Sequence, residues 1–356
     1  MRQNKYSPYK IIDFPEKIRA LREGRITAPI YVRIKPTNRC SHNCSWCAYA
    51  SGSNRLSEEN ITGMHDDIHH QDQIPFTKMR EVLDDLKEMG VKAVTYSGGG
   101  EPLMYPDICE TMERTLNYGI DLSIITNGQG LQGGRSNTLA SAKWVRVSID
   151  YTTAEQMAES RNVVPSNFYR IMANLEAFSK IKEPDCDLGI NYIVHKGNYQ
   201  GLYAFTKTLK DIGVDNVRFS PMWTLGLQEY HAPIRQSVAE QLLKIQDLVD
   251  DGFSVNQTYD LDSTAHSPHR GYTKCPTMQI VPVIAADQMV YGCHNVAYTE
   301  HGRIGSIKDR SFKDLWFSQD AKFDLNPDKV CTHQCAAHQK NLFMLDVING
   351  SQDNFV

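Results

Sequence analysis

The chain has 356 residues, of which 41% are hydrophobic and 22% are charged, and its formal net charge is −4 at pH 7. This length suits two domains, or one barrel with an appendage. The charge gives no sign of nucleic-acid or membrane-surface binding, and no apolar run of roughly 18 residues predicts a membrane span. Because the N-terminal sequence lacks a signal peptide, we expect a cytoplasmic protein whose nine cysteines stay reduced.

Strands alternate with amphipathic helices from about residue 30 to residue 250. The predicted strands are 29–34, 91–97, 121–125, 144–149, 188–194 and 217–220. The predicted helices are 77–89, 107–118, 166–181, 200–212 and 237–250. Six strands with crossover helices favour a parallel sheet. Polar groups recur after the ends of these strands, where barrel-like α/β enzymes place their functional groups.

The pattern changes after about residue 270. Residues 279–285 and 289–292 are predicted to form a β-hairpin, and a short helix at 312–317 precedes a cysteine-rich stretch and a terminal helix at 339–348. Elsewhere, residues 51–75 form a long polar insertion that could act as a lid. The histidines from His65 to His70 in that insertion are better explained by a solvated polar loop than by a metal site.

The most informative motif follows the first predicted strand, where Cys40, Cys44 and Cys47 have the spacing C-x3-C-x2-C. Three thiolates this close can bind three irons of a 4Fe–4S cube, and the fourth iron is then open to a substrate or cofactor. A zinc site is the alternative, but zinc usually takes a fourth cysteine or histidine. His42 could supply one, although its place inside the loop would strain a tetrahedral site.

This motif, with the aromatic Trp46 just before the third cysteine, resembles the signature of the radical S-adenosylmethionine (radical SAM) superfamily. The resemblance covers about residues 30–225 and implies an α/β fold, a partial (β/α)6 TIM-like barrel. It also implies that the open iron binds S-adenosylmethionine (SAM), and that cleavage of SAM gives a 5′-deoxyadenosyl radical that abstracts hydrogen from a substrate. A reductant such as flavodoxin or ferredoxin is then an expected partner.

Residues Gly99, Gly100 and Glu101 follow the predicted strand 91–97 and belong to a Gly-Gly-Glu-Pro element. This element matches the GGEP motif of the same family, in which backbone carbonyls accept hydrogen bonds from the SAM amino group. Glycine permits such a close approach of the backbone. A plain tight turn is the alternative for a glycine pair, but the preceding strand and the cysteines upstream favour SAM binding.

Four more residues are candidates for the SAM site, and two of them, Ser148 and Arg161, are similar by position to the family's carboxylate-binding residues. Ser148 and Arg161 follow the fourth predicted strand and would hold the SAM carboxylate, for which a guanidinium fork is well suited. An ordinary solvated arginine is the alternative for Arg161. Asn127 ends the third predicted strand and would face the same mouth, and Asn191 on the fifth strand would reach the SAM ribose.

A second set of cysteines, Cys275, Cys293, Cys331 and Cys335, can fully ligate another 4Fe–4S cluster. A four-thiolate zinc site is the alternative. The surrounding sequence is similar to the SPASM and twitch appendages of radical SAM enzymes, and four cysteines favour the shorter twitch type with one auxiliary cluster. We therefore predict an N-terminal extension (1–29), a radical SAM partial barrel (30–255) and a C-terminal twitch/SPASM-like iron–sulfur domain (256–356).

Two cysteines remain outside both sets. Cys109 lies on a predicted helix, where it is expected to be a small buried hydrophobic residue. Cys186 precedes the fifth predicted strand, and in an epimerase it would be a candidate catalytic hydrogen donor. The alternative for Cys186 is an inert core residue, which is the more common state of a free cysteine.

These features favour a radical SAM oxidoreductase or epimerase acting on a small polar substrate such as a sugar, an aminocyclitol or a nucleotide sugar. In a dehydrogenation, the auxiliary cluster would accept the electron. A second hypothesis is that the protein matures a ribosomally made peptide. Such enzymes commonly carry an N-terminal peptide-recognition domain, for which the 29 residues before the first strand are too few. A non-catalytic iron–sulfur or zinc protein is a third, and it would need neither the GGEP element nor a carboxylate-binding arginine.

Overall fold

The computed structural model describes residues 7–49, 68–224, 226–267 and 269–350, and the predicted polar lid lies largely outside these ranges. The described strands form one ten-stranded sheet. In chain order they are β1 (Tyr31–Ile34), β2 (Ala93–Tyr96), β3 (Asp121–Thr126), β4 (Trp144–Ser148), β5 (Asp187–Val194), β6 (Asn216–Pro221), β7 (Ser254–Gln257), β8 (Val283–Ile284), β9 (Met289–Tyr291) and β10 (Arg303–Ser306). Strands β1 to β7 are parallel neighbours in chain order, which confirms the predicted α/β fold with a parallel sheet.

Helices connect the strands and cover the sheet. The helices of the described residues are α1 (Pro15–Arg22), α2 (Phe76–Glu88), α3 (Ile108–Asn117), α4 (Gly134–Leu139), α5 (Ala154–Arg161), α6 (Ser166–Ile181), α7 (Leu202–Asp211), α8 (Leu227–His231), α9 (Arg235–Ile245), α10 (Thr277–Ile280), α11 (Phe312–Trp316), α12 (Pro327–Val330) and α13 (His338–Asn349). Gly90 and Gly119 follow α2 and α3 with φ values of 71° and 69°, left-handed conformations that glycine adopts without steric cost after a helix.

The structure adds a seventh parallel strand that the sequence did not predict. Strand β7 pairs with β6 from Asn216 opposite Ser254 to Phe219 opposite Gln257. Its residues are Ser-Val-Asn-Gln, with a single β-branched residue, and none of them is fully buried. A short, polar edge strand of this kind lacks the apolar pattern from which strands are recognised.

The C-terminal part of the chain continues the same sheet. Strand β8 pairs in parallel with the outer edge of β1, with Arg33 opposite Val283 and Ile34 opposite Ile284. Strand β9 pairs antiparallel with β8, which confirms the predicted hairpin, although its first residues, 279–280, belong to α10. The predicted domain boundary at residue 255 remains a prediction.

The sheet is rich in valine and isoleucine that pack against the helices. Val32, Ile34, Val94, Leu122, Ile124, Val145, Val147, Leu188 and Ile190 are completely buried. Because β1 to β7 are parallel, the loops that follow them all lie at the C-terminal ends of the strands. Enzymes of the α/β class place their active sites at this end. Among the helices of the described residues, none is long and apolar enough to cross a membrane.

Candidate active site

A pocket of about 780 Å³ lies at the C-terminal ends of β1 to β4, and the first cysteine set opens into it. The structure brings together there most of the residues predicted to bind the cluster and SAM. These lining residues are Cys40, Cys44, Cys47, Gly99, Gly100, Glu101, Asn127, Ser148 and Arg161. Their roles as ligands remain predictions, whereas their common location is a property of the fold.

The end of helix α5 holds the cysteine loop from one side. The backbone N–H of Asn43 donates to the carbonyl of Arg161 at 2.9 Å, and the N–H of Ser45 donates to the carbonyl of Ser160 at 3.1 Å. These two carbonyls lack helical partners because they lie in the last turn of α5. Asn162 then takes a left-handed conformation with φ of 50°, which ends the helix and turns the chain away.

The thiols of this loop lie in surroundings that suit metal-bound thiolates. Burial raises the pKa of Cys47, so without a metal this thiol would stay protonated. A bound metal reverses this preference, because a coordinated thiol is deprotonated. The Arg161 guanidinium donates to Cys44 Sγ at 3.0 Å, and the backbone N–H of His42 approaches Cys40 Sγ at 3.5 Å. The donor set therefore fits an iron–sulfur cluster.

The loop after β2 approaches the cysteine loop so closely that side chains have no room. A Cβ added at Gly99 would lie 2.1 Å from Asn38 Oδ1, and one added at Gly100 would lie 2.2 Å from the Arg39 carbonyl oxygen. The N–H of Gly100 donates to the Thr37 carbonyl at 3.1 Å. Glycine is required here because neighbouring atoms leave no room for a Cβ. A plain tight turn, the alternative explanation for the glycine pair, would not need this close contact.

The Glu101 carboxylate has a role that the sequence did not indicate. It is 3% exposed and accepts hydrogen bonds from Leu103 N–H (3.0 Å), Thr126 Oγ1 (2.6 Å) and Asn127 N–H (2.7 Å). Burial raises its pKa, while these three donors favour the charged form. The side chain therefore ties the loop after β2 to the end of β3, while the Glu101 N–H donates to the Arg39 carbonyl at 2.8 Å.

Arg161 is not an ordinary solvated arginine, because it is 7% exposed. Its guanidinium forms an ion pair with Asp150, which is 2% exposed. Burial alone would lower the Arg161 pKa, but Asp150, Cys44 and Tyr151 together raise it. The guanidinium carbon lies 5.6 Å from the Trp46 ring centroid. Arg161 thus joins the cysteine loop to the end of β4, a link that the sequence could not show because Asp150 carries no motif.

The other predicted SAM ligands differ in their positions. Asn127 Nδ2 donates to Ser41 Oγ at 3.0 Å, which ties the end of β3 to the cysteine loop. The Ser148 carbonyl accepts from Arg161 Nη2 at 3.5 Å. Asn191 does not line the first pocket and instead lines a neighbouring pocket of about 440 Å³, which Ser148 also borders.

The structure does not bring Cys186 to either pocket. Cys186 precedes β5, so it lies at the end of the sheet opposite to the cysteine loop. Its thiol is 1% exposed and lies 3.7 Å from the Leu139 carbonyl, and burial raises its pKa to about 12. This position matches an inert core cysteine and gives no path to a substrate. Cys109 is half-buried and packs against the main core.

The second cysteine set lines a smaller pocket of about 120 Å³. Asn341 Nδ2 donates to Cys275 Sγ at 3.4 Å, and the backbone N–H of Asn295 donates to Cys293 Sγ at 3.4 Å. Burial raises the pKa of Cys331 to about 12. In the described residues, no three Cys, His, Asp or Glu side chains are arranged to hold a single metal ion. A 4Fe–4S cube binds each cysteine to a different iron, so its ligands need not converge on one point.

The pocket of about 440 Å³ lies between the two cysteine sets. It shares Cys47, Tyr49, Ser148 and Arg161 with the first pocket. It shares Asn295 and His333 with the pocket of the second set. Trp46, Ile193, Pro221, Met222, Trp223 and Gln334 complete much of its wall. Apart from Trp46, these wall residues were not predicted from the sequence. The one signal that could have indicated them is the position of Trp223 shortly after β6.

The comparisons with known proteins identify relatives of modest identity. A PqqA peptide cyclase from Streptomyces rochei is 24% identical over 195 residues, covering 55% of this chain and 49% of that protein. A PqqA peptide cyclase from Bradyrhizobium diazoefficiens is 26% identical over 198 residues, covering 56% and 48%. The chain therefore matches about half the length of these two relatives. A tungsten-containing aldehyde ferredoxin oxidoreductase cofactor-modifying protein from Pyrococcus furiosus is 22% identical over 325 residues, covering 81% of each chain.

Solved structures share the fold over most of the chain. SuiB from Streptococcus suis, bound to S-adenosylmethionine, superposes with a TM-score of 0.62 at 17% identity and covers 89% of this chain and 73% of that chain. SuiB bound to the precursor peptide SuiA gives a TM-score of 0.61 at 15% identity, covering 90% and 72%. At these identities the likeness confirms the α/β fold.

The prediction of a small polar substrate is wrong, and so is the prediction of a small-molecule partner. The relatives include two peptide cyclases, and the superposing structures include one with a precursor peptide bound. The error has a physical reason. Cysteine spacing and the GGEP element report how a cofactor is bound, whereas substrate class is set by wall residues that the fold gathers from separate strands.

Residues 34–201 match the family model described as the radical SAM superfamily. The matched region contains the cysteine loop, the glycine loop and Arg161, which are the parts of the first pocket described above. The predicted cofactors, a 4Fe–4S cluster and SAM, follow from this match, and a second cluster is consistent with the C-terminal cysteines. Residues 34–201 therefore belong to the radical SAM superfamily.

Proposed function

We propose that this chain is a radical SAM enzyme that modifies a peptide by abstracting hydrogen from one of its residues. The observation that carries the proposal is the pocket of about 440 Å³, which borders the SAM-side pocket at Cys47 and Arg161 and the second cysteine set at Asn295 and His333. A substrate residue in this pocket would be adjacent to both sites. The peptide class is supported by the names of the two cyclases and by the peptide bound to SuiB.

Different residues of the first pocket would bind the cluster and SAM. Cys40, Cys44 and Cys47 would hold the cluster, and the backbone of Gly99 and Gly100 would approach the SAM amino group. The bound cluster and SAM supply the radical that removes hydrogen. Asn127, Ser148, Glu101 and Arg161 would fix the loops around SAM through the hydrogen bonds described above.

The wall of the middle pocket suits an uncharged peptide residue. Trp46, Ile193, Met222 and Trp223 offer apolar and aromatic surface, and the amides of Asn191, Asn295 and Gln334 can bond the peptide backbone. The charged pair in the wall, Asp150 and Arg161, is already neutralised by mutual contact.

The C-terminal residues 256–356 would form a twitch/SPASM-like unit with one auxiliary cluster on Cys275, Cys293, Cys331 and Cys335. Asn295 and His333, which lie two residues after Cys293 and Cys331, line both the pocket of the second set and the middle pocket, so an oxidative outcome fits the position of these cysteines better than a redox-neutral epimerisation. We therefore propose net two-electron oxidation of the peptide: the hydrogen atom would go to the 5′-deoxyadenosyl radical, the remaining electron would pass to a cluster held by the C-terminal cysteines, and a proton would be released to solvent.

The test separates peptide from small-molecule substrates by isotope transfer. Cells that make this protein are grown in deuterated medium, and their extract is divided into a peptide fraction and a small-metabolite fraction. Each fraction is incubated with reconstituted enzyme, unlabelled SAM and a reductant, and deuterium in 5′-deoxyadenosine is measured by mass spectrometry. The matched control is the Cys40/Cys44/Cys47→Ala triple variant.

We expect deuterium transfer from the peptide fraction, and we expect protease treatment of that fraction to abolish it. Transfer from the small-metabolite fraction alone would overturn the peptide proposal and leave the family assignment intact. Production of 5′-deoxyadenosine by the triple variant would instead show that the radical arises elsewhere.

A further inference from the structure

A buried lysine connects the two halves of the site. Lys35 is the first residue after β1 and is 1% exposed. Its Nζ donates to the Gly98 carbonyl at 2.7 Å and to the Tyr49 hydroxyl at 2.6 Å. Gly98 opens the glycine loop beside the first pocket, and Tyr49 follows the cysteine loop. A single amine therefore holds both loops to the end of the same strand.

The Tyr49 hydroxyl extends this connection to the C-terminal part. It donates to the His294 carbonyl at 3.1 Å, and His294 directly follows Cys293 of the second set. The chain of contacts runs from Gly98 through Lys35 and Tyr49 to His294. Tyr49 lines both the SAM-side pocket and the middle pocket, so the connection passes along the boundary between them.

A second contact from the same C-terminal segment reaches the glycine loop. The Tyr298 hydroxyl donates to Asn38 Oδ1, and a Cβ added at Gly99 would lie 2.7 Å from that hydroxyl. The Tyr49 and Tyr298 rings also pack edge to face with centroids 6.0 Å apart. Tyr298 therefore borders the glycine loop at Gly99, and Lys35 bonds the same loop at the Gly98 carbonyl.

Burial makes this lysine costly, which points to a specific role. Burial and the neighbouring Arg33 lower the pKa of Lys35 to about 7, while Cys47, Cys293 and Asp287 act in the opposite direction. An apolar residue would occupy this space at lower cost unless the hydrogen bonds were needed. The hydrogen bonds of Lys35 join two loops. One is the glycine loop at the SAM side, and the other, reached through Tyr49, is the loop that follows Cys293 of the second set.

We propose that Lys35 is a positioning residue that couples the segment after Cys293 to the glycine loop, so that SAM affinity depends on the state of the second cysteine set. The proposal rests on SAM occupying the first pocket, as in the proposed function. Lys35 does not touch a predicted metal ligand, and its effect on SAM would be transmitted through the Gly98 carbonyl and Tyr49.

The experiment measures SAM affinity by equilibrium dialysis in anaerobically reconstituted protein. Lys35→Met keeps the length of the side chain and removes the amine, and Tyr49→Phe removes the shared hydroxyl. The matched control is Lys143→Met, an exposed lysine before β4 at the opposite end of the sheet. Iron content and the thermal midpoint are measured for each variant, and the electron paramagnetic resonance spectrum of the reduced protein is recorded with and without SAM.

We expect Lys35→Met to weaken SAM binding about tenfold, the size expected for loss of a hydrogen bond to an amine in a buried site. Tyr49→Phe should weaken it about threefold, and the double variant should bind no worse than Lys35→Met, because both act on one connection. The spectral change on adding SAM should need correspondingly more SAM in Lys35→Met. Lys143→Met should bind like the wild type.

The coupling itself is tested with Cys293→Ala. It should weaken SAM binding in the wild-type background and have no further effect in Lys35→Met. Equal SAM affinity of Lys35→Met and wild type, or full additivity of Lys35→Met with Cys293→Ala, would overturn the proposed coupling while leaving the SAM site in place. Absence of SAM binding in the wild type would overturn the proposed function itself.

Discussion

The two cysteine sites of this protein are built in different ways. The first takes its three cysteines from one loop after β1 and opens into a pocket of about 780 Å³. The second collects Cys275, Cys293, Cys331 and Cys335 from three separate segments around a pocket of about 120 Å³. An open site with three thiolates leaves room for a further ligand, whereas a closed site with four suits electron storage. The difference in openness therefore predicts a difference in role.

The two sites are also held by different kinds of contact. The first depends on the buried pair Arg161 and Asp150, together with backbone bonds from the end of α5. The second depends on Asn341 in α13, whose Oδ1 accepts from the Thr277 N–H at 3.1 Å while its Nδ2 faces Cys275. Arg161 and Asp150 supply a buried ion pair at the open site, whereas Asn341 supplies an amide at the closed site, and each can be removed separately.

The largest expected effect separates the two sites by their iron. Replacement of Cys40, Cys44 and Cys47 by alanine should lower the iron content from about eight to about four per chain and abolish SAM cleavage, because a 4Fe–4S cube carries four irons. Replacement of the four C-terminal cysteines should remove a similar amount of iron and leave some SAM cleavage. Iron and sulfide are counted after anaerobic reconstitution, and 5′-deoxyadenosine is measured by chromatography.

The iron count also discriminates a cluster from zinc at the closed site. A wild-type content of about four irons, falling to none in the Cys40/Cys44/Cys47→Ala variant, would mean that the C-terminal cysteines hold zinc or no metal, since one cube carries four irons. The oxidative part of the proposed function would then lose its basis. Metal analysis for zinc in the same samples is the control.

The next effect concerns the buried pair at the open site. Arg161→Leu should destabilise the protein by about 3–5 kcal/mol, because it leaves the Asp150 carboxylate buried without its partner. The free energy of unfolding is measured by chemical denaturation. Arg161→Leu combined with Asp150→Asn should cost less than Arg161→Leu alone. Equal or larger destabilisation in the double variant would show that Arg161 acts mainly through Cys44 or through SAM.

The contrast between the sites explains how far the sequence could predict them. The open site is local, so the spacing of Cys40, Cys44 and Cys47 identified it, and the glycine loop was recognised for the same reason. Strands β1 to β6 were found because they are apolar, whereas polar β7 was not. Asp150, Lys35 and Trp223 carry no motif, and their roles arise only from residues distant in sequence that the fold places in contact.

A smaller effect tests the neutral support of the closed site. Asn341→Ala should destabilise the protein by about 1–3 kcal/mol, because the partly buried Thr277 N–H loses its acceptor. It should also shift the auxiliary cluster to a more negative midpoint potential, because an N–H donor to Cys275 Sγ favours the reduced, more negative state. The potential is read by redox titration with electron paramagnetic resonance. Asn349→Ala, an exposed asparagine at the end of the same helix, is the control. If the iron content is normal and the midpoint potential is unchanged, Asn341 contributes to packing and does not tune the auxiliary cluster.

The last effect lies at the open site and depends on pH. The ring of His195 lies 4.8 Å from that of Trp46, and its Nδ1 accepts from the Gly197 N–H at 3.1 Å, so Nε2 carries the proton of the neutral form. Burial lowers the pKa of His195 to about 4 from the ordinary 6.5, with Asp150 opposing and Arg161 assisting this shift. The folded protein thus keeps His195 neutral while the unfolded chain takes up a proton, and stability falls as the pH drops from 6.5 toward 4.

His195→Phe keeps an aromatic ring against Trp46 and cannot be protonated. We expect it to lose less stability than the wild type as the pH is lowered below 6.5, the ordinary pKa of histidine. Denaturation midpoints at several pH values give the slope, and His269→Gln, which changes an exposed histidine, is the matched control. If His195→Phe and the wild type lost the same stability at each pH, the acid sensitivity would not come from His195. It would then have to come from other buried histidines, such as His333 at the closed site.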